Sequence, residues 1–406
     1  MSAFLLLLWA VMATGTYLVR EPAPFDLGVL LLGGVGLFAG GLAFSRAHRL
    51  LFLLMGAFLT VNILCLQFAA DREVAQSYLA TTAYLAVSSV CFAGILSRFG
   101  TAGWSVLMSG YAVSGVISSV LSVLAYCGML GFRDQLLLFG RPKGWFKDPN
   151  VFGPYLVLIV VYAMARLERP RTRLAAAGLW VVALLAAALG VCLAFSRACW
   201  INCAVSVAVY FGLRIVHGWR FGGINRRFFR VLVFTSVALA VTAAALLANP
   251  SIRHMLEIRL GQGGLQDYDA VRFYTHDRAW ETAGREPLGL GPGQSEVIFA
   301  YSTHSMYLRV LAENGVPGFV LFFGAVFWGV WRSLRAALGS GQAESAVLAA
   351  FVAACMAGIL VNGAVIDVNH WRHFWLLLAM AWCCPIIAPA EERSAYAPGV
   401  YHYARG

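Results

Sequence analysis

Charge is what this chain has least of. Only 12% of its 406 residues are Asp, Glu, Lys or Arg, while 60% are apolar; soluble proteins carry about a quarter charged residues. A chain of this length could form two or three soluble domains, but these residues could not cover them with polar surface. The mean hydropathy of +0.75 agrees. The chain therefore reads as an integral membrane protein. Paired-cysteine metal spacing is also absent. Of the nine cysteines, Cys383 and Cys384 are adjacent and most others sit in apolar runs, as small hydrophobes do. No glycine-rich phosphate loop with a following lysine occurs, and there is no internal repeat or low-complexity stretch. The run 4–19 has no basic flank before it and no small-residue cleavage site, so a first span is expected rather than a signal peptide. The net charge of +11 leaves nucleic acid, anionic lipid and an acidic substrate open as partners.

What is present is apolar sequence in lengths that suit a bilayer. A spanning helix needs about 20 such residues. Twelve runs qualify, near 3–19, 27–44, 50–70, 78–96, 104–126, 151–165, 174–195, 199–213, 231–248, 315–331, 345–363 and 374–390. They are continuously apolar rather than alternating, which favours helices over a barrel. The expected fold is all-α and polytopic. It has nine spans in residues 1–248, a large loop at 249–314, three spans in 315–390 and a tail at 391–406.

Arginine and lysine set the orientation. With the N-terminus in the cytoplasm, the loops at 45–49, 97–103, 166–173, 214–230 and 332–344 and the tail face inward. They hold most of the excess positive charge and few acids, and the outer face is left near neutrality. The surplus then reports topology rather than affinity for nucleic acid. The segments 127–150, 196–198, 249–314 and 364–373 face outward. Nucleotides are scarce there, which argues against kinases, ATPases and nucleotide-sugar enzymes.

Several outer residues could carry chemistry. Arg197, in a tight turn between two spans, fits either a fork for phosphate oxygens or an interfacial arginine reaching for headgroups. Asp267 and Asp269 precede Arg272. They form an Asp-x-Asp metal pair, or they orient Arg272 as a second phosphate clamp or cap a helix. His304 follows Ser302 and Thr303, a plausible helix cap. Spacings of three, four and seven then put His304, Tyr307, Leu308 and Leu311 on one helical face, closed by Asn314 and Gly315. Its imidazole could accept a hydroxyl proton or could simply be hydrogen-bonded at a helix start. The segment 141–153, with Arg141, Lys147, Asp148 and Asn150, suits an anionic lipid-linked sugar stacked on Trp145, or an aromatic interfacial anchor. The segment 367–375, rich in His and Trp, carries the same two readings. Arg133 and Arg278 each precede a glycine after ten intervening residues, a spacing too common in a glycine-rich chain to carry weight.

In combination these segments resemble the O-antigen ligase and polymerase superfamily of bacterial polytopic membrane proteins. The matching pieces are 146–153, Ser196-Arg197, 268–273, 287–293 and 304–315, in the family's order. The first 140 residues match only as hydrophobic spans. The resemblance implies a metal-independent inverting glycosyltransferase without a cofactor, acting at the periplasmic face of the inner membrane. Its donor would be a glycan on undecaprenyl diphosphate, and its acceptor the lipid A core or another lipid-linked glycan. Carried over, Arg197 and Arg272 would hold the diphosphate, and His304 would act as base or orient the acceptor hydroxyl. Arg278 would be a second ligand contact and Glu313 an orienting group. Ser305 stands where many relatives have asparagine. The segments around Arg272 and His304 look closer to the ligase branch, with a polymerase as the alternative. A flippase is disfavoured because the spans hold almost no ionisable residues; Asn62 and Gln67 are the main polar exceptions.

Overall fold

The computed structural model describes residues 2–384, except 20, 170–172, 223–225, 261–266, 300, 340 and 342, and leaves aside the side chains of 245, 251, 260 and 267–270. The expected tail at 391–406 lies outside the described residues. Among the described residues the chain is all-α apart from one hairpin of two-residue strands, β1 (Leu137–Leu138) and β2 (Arg141–Pro142). Eight helices among the described residues are long and apolar enough to cross a membrane, so the chain is a polytopic membrane protein.

The helices are, in order, α1 (Ala3–Ala13), α2 (Pro24–Phe38), α3 (Arg49–Cys65), α4 (Arg72–Tyr126), a single turn α5 (Arg133–Leu136), α6 (Pro149–Glu168), α7 (Leu174–Leu193) and α8 (Arg197–Phe221). They continue as α9 (Arg226–Leu247), α10 (Pro250–Leu260), α11 (Asp267–Arg285), α12 (Ser295–Phe299), α13 (Met306–Gly339), α14 (Ala343–Gly363) and α15 (Arg372–Trp382). Each of the twelve apolar runs overlaps a helix among the described residues, with the end of the last run, 385–390, outside them, but two junctions differ from expectation. The anticipated inner loop at 97–103 is a break within α4 at Gly100. The end of the large loop also runs straight into the next span within α13, across Gly315.

That second junction has a clear local cause. Gly315 takes a left-handed φ of 63°, and Pro317 has no N–H with which to reach back to the Glu313 carbonyl. Val316 donates instead to the Pro287 carbonyl at 2.9 Å. The stranded carbonyls of Ala312 and Glu313 accept from Leu290 and Gly291, both at 2.9 Å. The loop 287–293 thus supplies the hydrogen bonds that the break removes. A Cβ on Gly289 would lie 2.5 Å from the Glu313 oxygen, so only glycine permits this approach.

The centre of the bundle is formed by α6, α14 and α15. They are buried on nearly every side, which suits their apolar sequence. Helix α14 crosses α8 at Gly358, where a Cβ would sit 2.0 Å from Ser206 Oγ. Close approach at small residues is how helices associate where lipid offers no hydrophobic drive. Helix α9 lies at the margin with most of its apolar residues exposed.

Candidate functional site

Five elements converge on a cleft of about 400 Å³ at one end of the bundle. The N-terminus of α8 contributes Arg197. Ser196 caps that helix by accepting from the Cys199 N–H at 3.3 Å. Phe195, at a left-handed φ of 48°, makes the turn from α7. The hairpin contributes Arg141. Its Phe139-Gly140 turn has positive φ at both residues, as a tight two-residue hairpin needs. The guanidinium of Arg141 donates to the Ala194 carbonyl at 3.1 and 3.0 Å and to Asn150 Oδ1 at 3.3 Å. The hairpin, the α7–α8 turn and the start of α6 are therefore tied together.

Helix α11 brings Arg272, Phe273 and His276 to the same cleft, and α10 brings Arg259. Arg272 and His276 are four residues apart and so share a helical face. Ile201, Val365, Ile366, Phe195 and Phe273 supply an apolar wall. No aspartate or glutamate is among the described residues that line the cleft. Four arginines and a histidine beside an apolar wall suit a ligand with a multiply charged anionic group and a hydrocarbon part. Sequence reasoning picked out Arg197, Arg272, Arg141 and Asn150 and missed Arg259 and His276. The spacing from Arg272 could have revealed His276. Arg259 sits in no motif.

His304 stands next to this cleft but off the helix that was expected to carry it. Helix α13 begins at Met306, and Ser305 takes the capping role, accepting from the Leu308 N–H at 3.5 Å. His304 itself has a left-handed φ of 46°, a conformation uncommon for a residue with a side chain and found disproportionately at functional sites. Its backbone N–H donates to Ser302 Oγ at 3.3 Å, and its ring lies 5.1 Å from that of Tyr301. The expected face shared with Tyr307, Leu308 and Leu311 is therefore not formed. Burial pushes its imidazole down to about 4. Arg272, Arg309 and His276 act in the same direction, and Asp367 opposes them. At neutral pH the ring is an unprotonated base.

A second cluster lies beside His304. Arg309 is buried and paired with Glu296, Asp367 and, at 3.2 Å, Glu313. Its guanidinium also sits over the Tyr78 ring at 5.2 Å. Glu313 accepts from the Gly293 and Ser295 N–H groups at 2.8 and 3.1 Å, which with Arg309 tie it to the segment 293–295. His370 stacks on Tyr78 at 4.0 Å and meets Thr82 Oγ1 at 2.9 Å. Burial lowers its imidazole to about 4, against the pull of Asp367. Arg372 closes the region with two 2.7 Å bonds to Asp26, which also accepts from the Tyr84 hydroxyl at 2.9 Å.

The remaining expected residues fall elsewhere. Arg278 is not among the cleft residues and pairs with Glu281 at 3.6 Å. Lys147 is exposed and pairs with Glu21 at 3.2 Å. Asp148 caps α6 by accepting from the Asn150 N–H at 2.6 Å. Trp145 packs edge-on to Tyr17 at 5.8 Å. The side chains of Asp267 and Asp269 lie outside the described ones.

Residues 180–323 match the family model described as O-antigen ligase. The chain carries a domain of the O-antigen ligase and polymerase superfamily. The matched stretch holds Arg197, Arg259, Arg272, His276 and His304, as well as Arg309 and Glu313. Arg141, Asn150, Val365 and Ile366 complete the cleft from outside the match. No curated protein matches the chain.

Proposed function

We propose that the protein transfers a saccharide from undecaprenyl diphosphate to a sugar hydroxyl of the lipid A core, at the periplasmic face of the inner membrane. The observation that carries this reading is the convergence of Arg141, Arg197, Arg259 and Arg272 on one cleft with an apolar wall, beside a neutral histidine. The diphosphate binds the arginines, and the first isoprenoid units lie along Ile201, Val365 and Ile366. Asn150, which lines the cleft beside Arg141, is a secondary contact for the glycan.

In the reaction the acceptor hydroxyl oxygen attacks the anomeric carbon from the side opposite the diphosphate, and the configuration inverts. The new C–O bond forms as the bond to the diphosphate oxygen breaks. The hydroxyl proton passes to His304, which is unprotonated at neutral pH. The departing diphosphate gains negative charge, and Arg197 and Arg272 stabilise it where that charge develops. Guanidinium groups can fill the place a divalent cation takes in other glycosyl transfers, so the reaction proceeds without a metal.

The test is a product assay with the purified full chain and a defined undecaprenyl-diphosphate glycan, in the presence of EDTA. Each reaction offers either the lipid A core or a second lipid-linked glycan. Transfer to the core is the expected result. Elongation of the lipid-linked glycan alone would make the protein a polymerase, and strict dependence on Mg²⁺ or Mn²⁺ would overturn the metal-free step.

A further inference from the structure

A second concavity lies far from the cleft, at the opposite end of the bundle. Helix α6 begins beside the cleft at Asn150 and carries Arg166 sixteen residues later, about 24 Å along its axis. Arg166 forms one end of a groove of about 520 Å³ between α4 and α7. Ser105, Val113 and Ile117 line it on one side, and Leu179, Trp180 and Val182 on the other. Val113, Ile117, Leu179 and Val182 are exposed, as side chains are where a groove opens onto hydrocarbon. From Ser105 to Ile117 it runs for about 18 Å, roughly the depth of one leaflet of a 30 Å bilayer core.

The polar end is built as well as placed. Arg166 donates to Ser105 Oγ at 3.4 Å and lies over the Trp180 ring at 5.8 Å. Tryptophan and arginine together mark the level of lipid headgroups. The surrounding rim is strongly basic. Arg169 follows Arg166 one turn later and pairs with Glu344 at 2.9 Å, Arg227 donates to the Arg169 carbonyl at 2.6 Å, and Arg173 immediately precedes α7.

We propose that this groove is a binding site for an anionic phospholipid, its acyl chain between α4 and α7 and its phosphate at Arg166. The groove supplies the apolar length and the rim supplies the complementary charge. A zwitterionic lipid of the same chain length would fill the groove but gain less from the basic rim. Headgroup preference therefore separates this site from ordinary lipid contact.

The full chain in detergent is titrated with phosphatidylglycerol and with phosphatidylcholine of identical chains, and bound lipid is counted by native mass spectrometry. Phosphatidylglycerol is expected to bind about fivefold more tightly, the order of one basic residue near the lipid surface. Arg166→Gln removes that preference. Val113→Trp, which fills the groove and leaves Arg166 in place, weakens both lipids. Soluble glycerol phosphate at the same concentration does not compete. Equal binding of the two lipids by the unaltered protein overturns the proposal, as does a preference that survives both substitutions. Competition by glycerol phosphate overturns it too, since the site would then be a phosphate site rather than a lipid site.

Discussion

The chain places two charged clusters side by side and uses arginine in opposite ways. In the cleft, Arg141, Arg197, Arg259 and Arg272 converge with no carboxylate among the described lining residues. In the neighbouring cluster a single arginine, Arg309, is held by Glu296, Glu313 and Asp367. The first arrangement suits an anion that arrives from outside. The second is closed on itself and fixes the loop 287–295 against the break at Gly315. His304 lies between them, with Arg272 lowering its proton affinity and Asp367 raising it. Arginine content alone does not mark a binding site; the sign of what surrounds each guanidinium does.

Substitutions can pull this comparison apart, and the largest effect is expected at His304. His304→Ala should lower transfer by about a thousandfold, the scale of losing a general base, with the protein still inserted in the membrane. Near-normal turnover would remove His304 from the chemistry. Arg197→Ala and Arg272→Ala should each cost about a hundredfold in turnover, as the loss of one charge-stabilising group does, with little change in melting temperature. Arg309→Ala should do the reverse in kind. It leaves Glu313 buried without its cation, at about 3–5 kcal/mol of stability, and is read by thermal unfolding. If Arg272→Ala unfolded the protein and Arg309→Ala did not, the division between the clusters would be mistaken.

Acidity sharpens the same contrast. With the His304 imidazole near 4, kcat/KM should stay level from neutrality to about pH 5 and fall as the ring is protonated. An ordinary histidine would give a fall near pH 6.5. Arg272→Gln removes a cation that disfavours protonation, so its inflection should move upward, and an unmoved inflection would separate the two residues. The smallest effect is expected at Arg335, which lies over the Trp331 ring at 5.2 Å. Arg335→Ala should leave transfer unchanged, and a loss equal to that of Arg197→Ala would count against a localised anion site.

Much of this was legible because membrane burial leaves a strong imprint. Unbroken apolar runs located the helices, Arg197 was conspicuous as a charge between two apolar spans, and Arg272 stood out through the family resemblance of its segment. The junctions were not legible. Gly100 was expected within a loop and Gly315 at a helix end, yet each breaks a helix that then resumes; at Gly315 hydrogen bonds from the loop 287–293 replace those lost. The position of His304 was misjudged for a related reason. Ser302, Thr303 and Ser305 can all cap a helix, and the choice of Ser305 moves the histidine out of the helix. The pairing of Arg309 with Glu313, four residues apart, was visible in principle, but its partners Glu296 and Asp367 come from other parts of the chain and needed the fold to be seen.

The proposed function requires the cleft to bind a lipid diphosphate. Its most direct test is equilibrium binding of undecaprenyl diphosphate, without glycan, to the full chain and to Arg197→Ala and Arg272→Ala. Each substitution is expected to weaken binding at least tenfold, and undecaprenyl monophosphate to bind the unaltered protein less tightly than the diphosphate. Unchanged affinity in both variants would contradict it.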